Sequence, residues 1–225
     1  MIPTEIKHHL EIRRLTTPRA AALAGILFAV LFTTSLALLR NALPEDLATD
    51  STWLEQGVNR VETALALMPF AGITFLWFVG VVRDRLGEFE DQFFSTVFYG
   101  SSLLFMAMVF VSMAIAGGIL AGARKALEND VIIFGRDVML QITNVYALRM
   151  AGVFMISLGT IWWRTGLMPR WLAATTLLLA LCLLLVVNLS VWITLIFPGW
   201  VFLISVLILV VNYRYKHRNG ASPDV

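Results

Sequence analysis

The sequence is poor in the residues that bind metals and form disulfides. Its single cysteine, Cys182, stands in the apolar stretch LALCLLLVV, so an internal disulfide and a cysteine metal cluster are both excluded. Its three histidines, His8, His9 and His217, lie near the two ends of the chain. We expect no histidine at bilayer depth, which excludes intramembrane haem ligation by histidine and zinc-protease chemistry.

The sequence also lacks the motifs of the familiar catalytic and nucleotide-binding classes. It contains no HExxH, no P-loop, no GxGxxG and no serine in a GxSxG context. No nucleophile stands beside a candidate base, so an intramembrane enzyme is the least supported class. We expect no metal, no cofactor and no nucleic-acid partner.

Charged residues are scarce in the sequence and apolar residues are abundant. Charged residues make up 14% of the chain and hydrophobic residues 59%, whereas soluble domains average about 25% and about 45–50%. The apolar residues come in runs of 18 or more, which is typical of membrane helices. The sequence therefore predicts an integral membrane protein whose first partner is the lipid bilayer.

Six apolar runs predict an all-α, polytopic transmembrane bundle with six membrane-spanning helices. The first four runs are 20–40, 63–82, 93–121 and 141–163, and two more helices between 170 and 214 form a hairpin. The first run exceeds the roughly 7–15 apolar residues of a signal peptide, so we interpret it as a span. The predicted organisation is a cytoplasmic segment 1–19, a transmembrane domain 20–214 and a cytoplasmic tail 215–225.

Two boundaries are less regular. The turn of the last hairpin falls at Asn188, Ser190 or the Pro198–Gly199 pair. Asp137, Gln141 and Asn144 recur at helical spacing, so the fourth helix is expected to begin near Val131, ahead of its apolar run.

Lysine and arginine predict the orientation, because cytoplasmic loops are enriched in both. With both termini in the cytoplasm, the inner segments hold 11 basic residues, the outer segments hold 5, and Arg149 is left within a span. The inner residues are Lys7, Arg13, Arg14, Arg19, Arg83, Arg85, Arg164, Arg170, Arg214, Lys216 and Arg218, and the outer ones are Arg40, Arg60, Arg124, Lys125 and Arg136. Tryptophans favour headgroup depth; we expect Trp77, Trp162, Trp163 and Trp171 near the inner interface, and Trp53, Trp192 and Trp200 near the outer one. The predicted localisation is the cell membrane, multi-pass.

Small residues recur at spacings that bring helix backbones together. Ala114, Gly118 and Gly122 lie four apart on the third helix, and Gly152 and Gly159 lie seven apart on the fourth. Packing within the bundle is the leading interpretation. An interface with a second copy of the chain, or with another membrane subunit, is the alternative.

Arg149 interrupts the apolar stretch ALRMAGVFMISLGTIWWR. It lies eight residues into the fourth run, roughly 12 Å deep at 1.5 Å per residue. It either extends to the outer headgroups or pairs inside the bundle with a polar group at similar depth. The candidate partners are Glu62, Asp137, Asn144 and Asn188.

Three stretches, PRAAALAGILFAVLF, RMAGVFMISLGTIWWRTGLMPRWLA and FPGWVFLISVLI, resemble a family of six-helix bacterial integral membrane proteins without an assigned activity. The resemblance implies a six-helix bacterial membrane protein and transfers no functional residue. We therefore predict that the protein binds or transports a small anionic or amphiphilic molecule in an outward-facing polar pocket near Arg149. The alternative is a structural or accessory membrane subunit without a ligand.

Overall fold

The computed structural model describes residues 4–42, 53–86, 92–124, 129–185 and 191–219. Every regular element in these ranges is helical. The helices are α1 (Thr4–Ala42), α2 (Trp53–Leu86), α3 (Gln92–Ala123), α4 (Asn129–Gln141), α5 (Leu148–Thr165), α6 (Arg170–Leu185) and α7 (Ile196–Asn219). A π-helical turn, Ile142–Ala147, joins α4 to α5 without a break, and a 3-10 turn, Val191–Leu195, leads into α7.

Five helical stretches are long and apolar enough to cross a membrane. They are Arg19–Ala42, Gly57–Asp84, Phe93–Gly122, Asp130–Thr165 and Ile193–Val210. The sequence predicted the first four as spans, and their helices are confirmed, including the early start of the fourth. Helix α6 has only 16 residues, fewer than the about 20 that usually span a bilayer, so the structure supports a membrane-embedded helical bundle with five long spans.

Helices α1 and α2 run antiparallel. Ala42, at the end of α1, meets Gly57, near the start of α2, whereas Gly25, in the middle of α1, lies against Phe78, closer to the end of α2. Helix α1 also packs against α7, and α3 packs against α2, α4 and α5. The bundle thus has two ends, which we call the Arg40 end, where α1 finishes, and the hairpin end, where α5 turns into α6.

Phenylalanines from five helices fill the centre of the bundle. The rings of Phe28, Phe75, Phe105, Phe154 and Phe197 are all buried, and contacting centroids lie 4.7 to 6.1 Å apart. Such ring pairs contribute about 0.5–1.5 kcal/mol beyond the burial of their area. The middle of the described bundle is therefore closed by side chains.

Two tryptophans expected at the membrane interfaces lie inside the protein instead. The rings of Trp162 and Trp200 are buried with centroids 6.0 Å apart, and Trp200 Nε1 donates to Thr176 Oγ1 over 3.0 Å. The hydroxyl satisfies the indole N–H away from water, which removes the need for headgroup depth. Trp77, Trp163 and Trp171 are exposed.

The predicted small-residue contacts divide between the two helices. A Cβ added at Gly152 would lie 3.2 Å from the Ala180 carbonyl oxygen, and one at Gly159 would lie 3.1 Å from a Leu177 methyl carbon, so both glycines pack against α6. On α3, Ala114 and Gly118 are exposed, and a Cβ at Gly118 would meet no heavy atom within 4 Å. At these two positions the apolar surface faces outward rather than toward another of the described helices. Gly122 is buried.

The turn of the last hairpin precedes Pro198 and Gly199, because both residues lie in the first turn of α7. The other two candidates, Asn188 and Ser190, lie outside the described residues.

Candidate functional site

The π-turn between α4 and α5 is the main irregularity of the described bundle. The backbone N–H of Leu148 donates to the carbonyl of Thr143, five residues back. Ser112 Oγ on α3 and Thr143 Oγ1 lie 2.6 Å apart, and each lies 3.1 Å from the Met139 carbonyl oxygen. These hydroxyls hold the irregular backbone against α3, and π-turns of this kind are frequent at functional sites.

A small cavity lies beside the π-turn toward the Arg40 end. Thr143 and Thr194 contribute its two hydroxyl-bearing side chains, and apolar side chains such as Phe105 and Phe197 form most of its wall. The volume open to the centre of a water-sized sphere is about 10 Å³, which is room for about one water. This cavity is too small for an organic ligand.

Arg40 closes the structure above that cavity. Its Nη2 donates to the hydroxyl of Thr194, a buried residue at the end of the 3-10 turn. Arg40 also stands in the last turn of α1, where a cation interacts favourably with the helix dipole. The sequence analysis placed Arg40 only in an outer segment. Its position at the end of an apolar run was the sequence feature that could have indicated a contact inside the bundle.

Arg149 is half-buried and is the second residue of α5. It precedes Gly152 by three residues on the stripe that packs against α6, and Gly152 in turn lies next to Leu184. Its Cβ is directed toward the helix N-terminus, which is toward the Arg40 end of the bundle. Among the described residues, the Arg149 guanidinium makes no ion pair or hydrogen bond.

The four candidate partners of Arg149 are dispersed. Glu62 pairs instead with Arg124 at the end of α3, with Oε1 and Nη2 2.5 Å apart in an exposed position. Asp137 is exposed and lies 3.6 Å from its neighbour Arg136. Asn144 stands in the π-turn with its Oδ1 buried and without a hydrogen-bond partner in the described part of the chain. Asn188 is outside the described residues.

The described part of the chain contains no group of three or more histidine, cysteine or carboxylate side chains arranged to hold a metal ion. Cys182 is a free cysteine, partly buried on α6. The buried polar side chains of the described bundle all carry hydroxyls, and Arg40, Arg136, Asn144 and Arg149 are half-buried. Such a set can bind an anionic or hydrogen-bonding group.

Comparison of the chain with protein-family models, curated proteins and solved structures finds no match. Functional inference therefore rests on the residues and their geometry.

Proposed function

We propose that the protein is a six-span membrane protein that binds a small anionic or amphiphilic molecule from the outer side, with Arg149 as the charged contact. The observation that supports this proposal is the half-buried guanidinium of Arg149. The two candidate carboxylates, Glu62 and Asp137, lie next to other arginines instead. An arginine at the bilayer centre costs about 2.5–3.5 kcal/mol on insertion scales. A carboxylate or phosphate ligand would offset that cost by bidentate pairing.

Asn144 is the second proposed contact, and it would accept a hydrogen bond where Arg149 would donate one. Its buried Oδ1 lacks a donor, and an unsatisfied buried acceptor costs about 1–3 kcal/mol. An N–H or O–H on the ligand would supply the donor. The amphiphilic ligand class follows from the surroundings, because the exposed ring of Tyr146 lies beside Asn144 on the same π-turn.

Two features favour binding over passage. The phenylalanine centre leaves no described path along the bundle axis, and the cavity beside the π-turn holds about one water. A structural or accessory subunit would be equally compact. In that alternative, the outward-facing Ala114 and Gly118 would contact another membrane protein.

The proposed six-span topology is supported by the positions of the end of α5 and the start of α7, which lie at opposite ends of the bundle. Arg164, at the end of α5, lies over the ring of Phe94 at the start of α3. Thr194, just before α7, contacts Arg40 at the opposite end of the bundle. Helix α6 connects these ends and packs along α5, so we assign it as the sixth crossing, about 24 Å long at 1.5 Å per residue.

The orientation follows from the basic residues of the two ends. The ends of α1 and α7 that carry most of the arginines and lysines belong to the hairpin end, which is proposed to be cytoplasmic. A cysteine at Ser51, in a Cys182→Ser background, is then expected to react with an impermeant maleimide from outside intact cells. Reaction from the cytoplasmic side alone would reverse the orientation.

Ligand-dependent thermal stabilisation tests the binding function. The purified protein is screened against carboxylate and phosphate amphiphiles; a ligand at 100 times its Kd stabilises the folded state by about 2.7 kcal/mol. We expect Arg149→Gln to remove this stabilisation and Arg60→Gln, an exposed arginine on α2, to retain it. Equal stabilisation of both variants, or of neither the parent nor the variants, would contradict the proposal and favour an accessory subunit.

A further inference from the structure

The helices of the described bundle fall into a short and a long group. Helix α6 has 16 residues, and the apolar stretch Ile193–Val210, in the 3-10 turn and α7, has 18, so the two are about 24 and 27 Å long at 1.5 Å per residue. The stretch Phe93–Gly122 has 30 residues and the stretch Asp130–Thr165 has 36, which gives about 45 and 54 Å. The hydrocarbon core of a bilayer is about 30 Å thick, so only the short group matches it.

Tilt does not remove the excess length of the long group. A helical rod of about 54 Å crosses a 30 Å layer only at a tilt of about 55°, whereas transmembrane helices tilt by about 0–40°. Helix α6 packs along α5 and would share that tilt, which would reduce the depth that α6 crosses to about 14 Å. The long helices must therefore extend beyond the hydrocarbon.

The excess length lies at the Arg40 end. Helices α5 and α6 are joined at the hairpin end by the short turn at Gly166. At the opposite end, Gly152 lies against Leu184, next to the last residue of α6. Thr194, just before α7, lines the same small cavity as Thr143 of the π-turn. The short helices therefore reach only the level of the π-turn, and the 13 residues of α4 lie beyond it.

Helix α2 crosses the same level near Ala64. The Ala64 carbonyl accepts from Ser35 Oγ over 2.8 Å, and Leu36 lines the cavity beside the π-turn. On the hairpin side of Ala64, the large exposed side chains of α2 are apolar, namely Phe70, Ile73, Leu76 and Trp77. On its other side, the described residues that are exposed are polar, namely Asn59, Arg60, Glu62 and Thr63. The part of α2 that suits lipid therefore ends near Ala64.

Helix α4 exposes charge on the face that points away from the core. Ile132 and Met139 are buried, and the opposite face exposes Asp130, Phe134, Asp137 and Gln141. Aspartate is among the residues that enter hydrocarbon least favourably. A face with two exposed aspartates consequently belongs in water, although the ring at its centre, Phe134, is 70% exposed.

We propose that the lipid-contacting surface of the protein is a belt about 30 Å tall that ends at the level of the π-turn. Helix α4 and the adjoining ends of α1, α2 and α3 form a head in the aqueous phase beyond this belt. The head is about 20 Å tall, from the 13 residues of α4. The inference needs only that the bundle lies in a membrane. It depends neither on a ligand at Arg149 nor on which end is cytoplasmic.

Site-directed spin labelling tests the head at two positions that hydrophobicity treats alike. Phe134 on α4 and Ile73 on α2 are both exposed and apolar, and each is replaced by cysteine in a Cys182→Ser background. The labelled proteins are reconstituted in phosphatidylcholine vesicles. Collisions with oxygen report lipid, and collisions with a nickel chelate present on both sides report water. We expect the nickel chelate to dominate at position 134 and oxygen at position 73, so the logarithm of the two collision rates' ratio changes sign.

Three further labels complete the comparison. Asn59→Cys on α2 is expected to report water, and Leu178→Cys on α6, 63% exposed, is expected to report lipid. Asp137→Cys gives a second reading on α4 in case Phe134→Cys alters the fold. An oxygen excess on α4 would place that helix in hydrocarbon, and few collisions with either reagent would show that protein covers it; each result would overturn the head. A nickel excess at position 178 would overturn the belt.

Discussion

Replacement of Gly25 by alanine is expected to destabilise the bundle through the contacts of α1 with α2 and α7. A Cβ at position 25 would lie 2.0 Å from Ser205 Oγ and 2.9 Å from Phe78 Cδ2. Both neighbours are fully buried. The Ser205 hydroxyl can rotate away, but the ring of Phe78 is enclosed by the core and has little room to move.

The expected cost is the difference between two effects. Alanine in place of glycine favours a helix by up to about 1 kcal/mol, whereas overpacking a closed core costs about 1–3 kcal/mol. Since both contacts are closer than van der Waals separation, we expect an overpacking cost in the upper part of that range and a net loss of about 2 kcal/mol. Gly80→Ala on α2 is the control, because a Cβ there would meet no heavy atom within 4 Å.

Ser205→Ala supplies the internal test of the mechanism. The Ser205 hydroxyl has no hydrogen-bond partner among the described residues, so its removal should be nearly neutral. Combined with Gly25→Ala it should recover part of the loss, with a coupling of about 0.5–3 kcal/mol between the two sites. The measurement is reversible unfolding in mixed micelles of the parent, the two single variants and the double variant, with Gly80→Ala as the control. If Gly25→Ala and Gly80→Ala unfold at the same denaturant concentration, α1 does not approach α2 and α7 as described.

Two further contacts have matched controls in the chain. Gly152→Leu should destabilise the protein by forcing α5 away from the Ala180 carbonyl, whereas Gly118→Leu, on an open surface, should melt like the parent; equal melting would contradict the α5–α6 packing. Thr176→Val should cost about 1–3 kcal/mol by leaving the buried indole N–H of Trp200 without an acceptor. Thr175→Val should cost less, because that exposed hydroxyl bonds only to its own helix, and an equal loss would refute the role given to Thr176.

The helices could be predicted from the sequence because lipid imposes a simple length rule. Runs of about 20 apolar residues have few alternatives in a bilayer, and polar residues such as Asp137 and Gln141 at helical spacing gave the early start of α4. Helix α6 was predicted as a span on the same rule, although its described length falls short of it.

The rotation of each helix could not be predicted in the same way. Gly118 and Gly152 belong to the same kind of small-residue pattern, yet only Gly152 faces another helix. In lipid, an outward-facing face is as apolar as an inward-facing one. Hydrophobicity therefore does not distinguish the two faces. The burial of Trp162 and Trp200 was missed for a related reason, since hydrogen bonding and ring packing can stabilise a tryptophan in the core as well as at the membrane interface.

The π-turn explains why the polar residues around Arg149 could not be assembled from periodicity. An ideal helix turns 100° per residue, and on that basis Asp137, Gln141 and Asn144 share one stripe. The backbone winds less per residue through Ile142–Ala147, because its hydrogen bonds reach five residues back. Asp137 and Gln141 consequently remain on the exposed surface while the Asn144 Oδ1 is buried. Beyond the turn, Arg149 lies on the stripe of α5 that faces α6, so its guanidinium is separated from the carboxylates of α4.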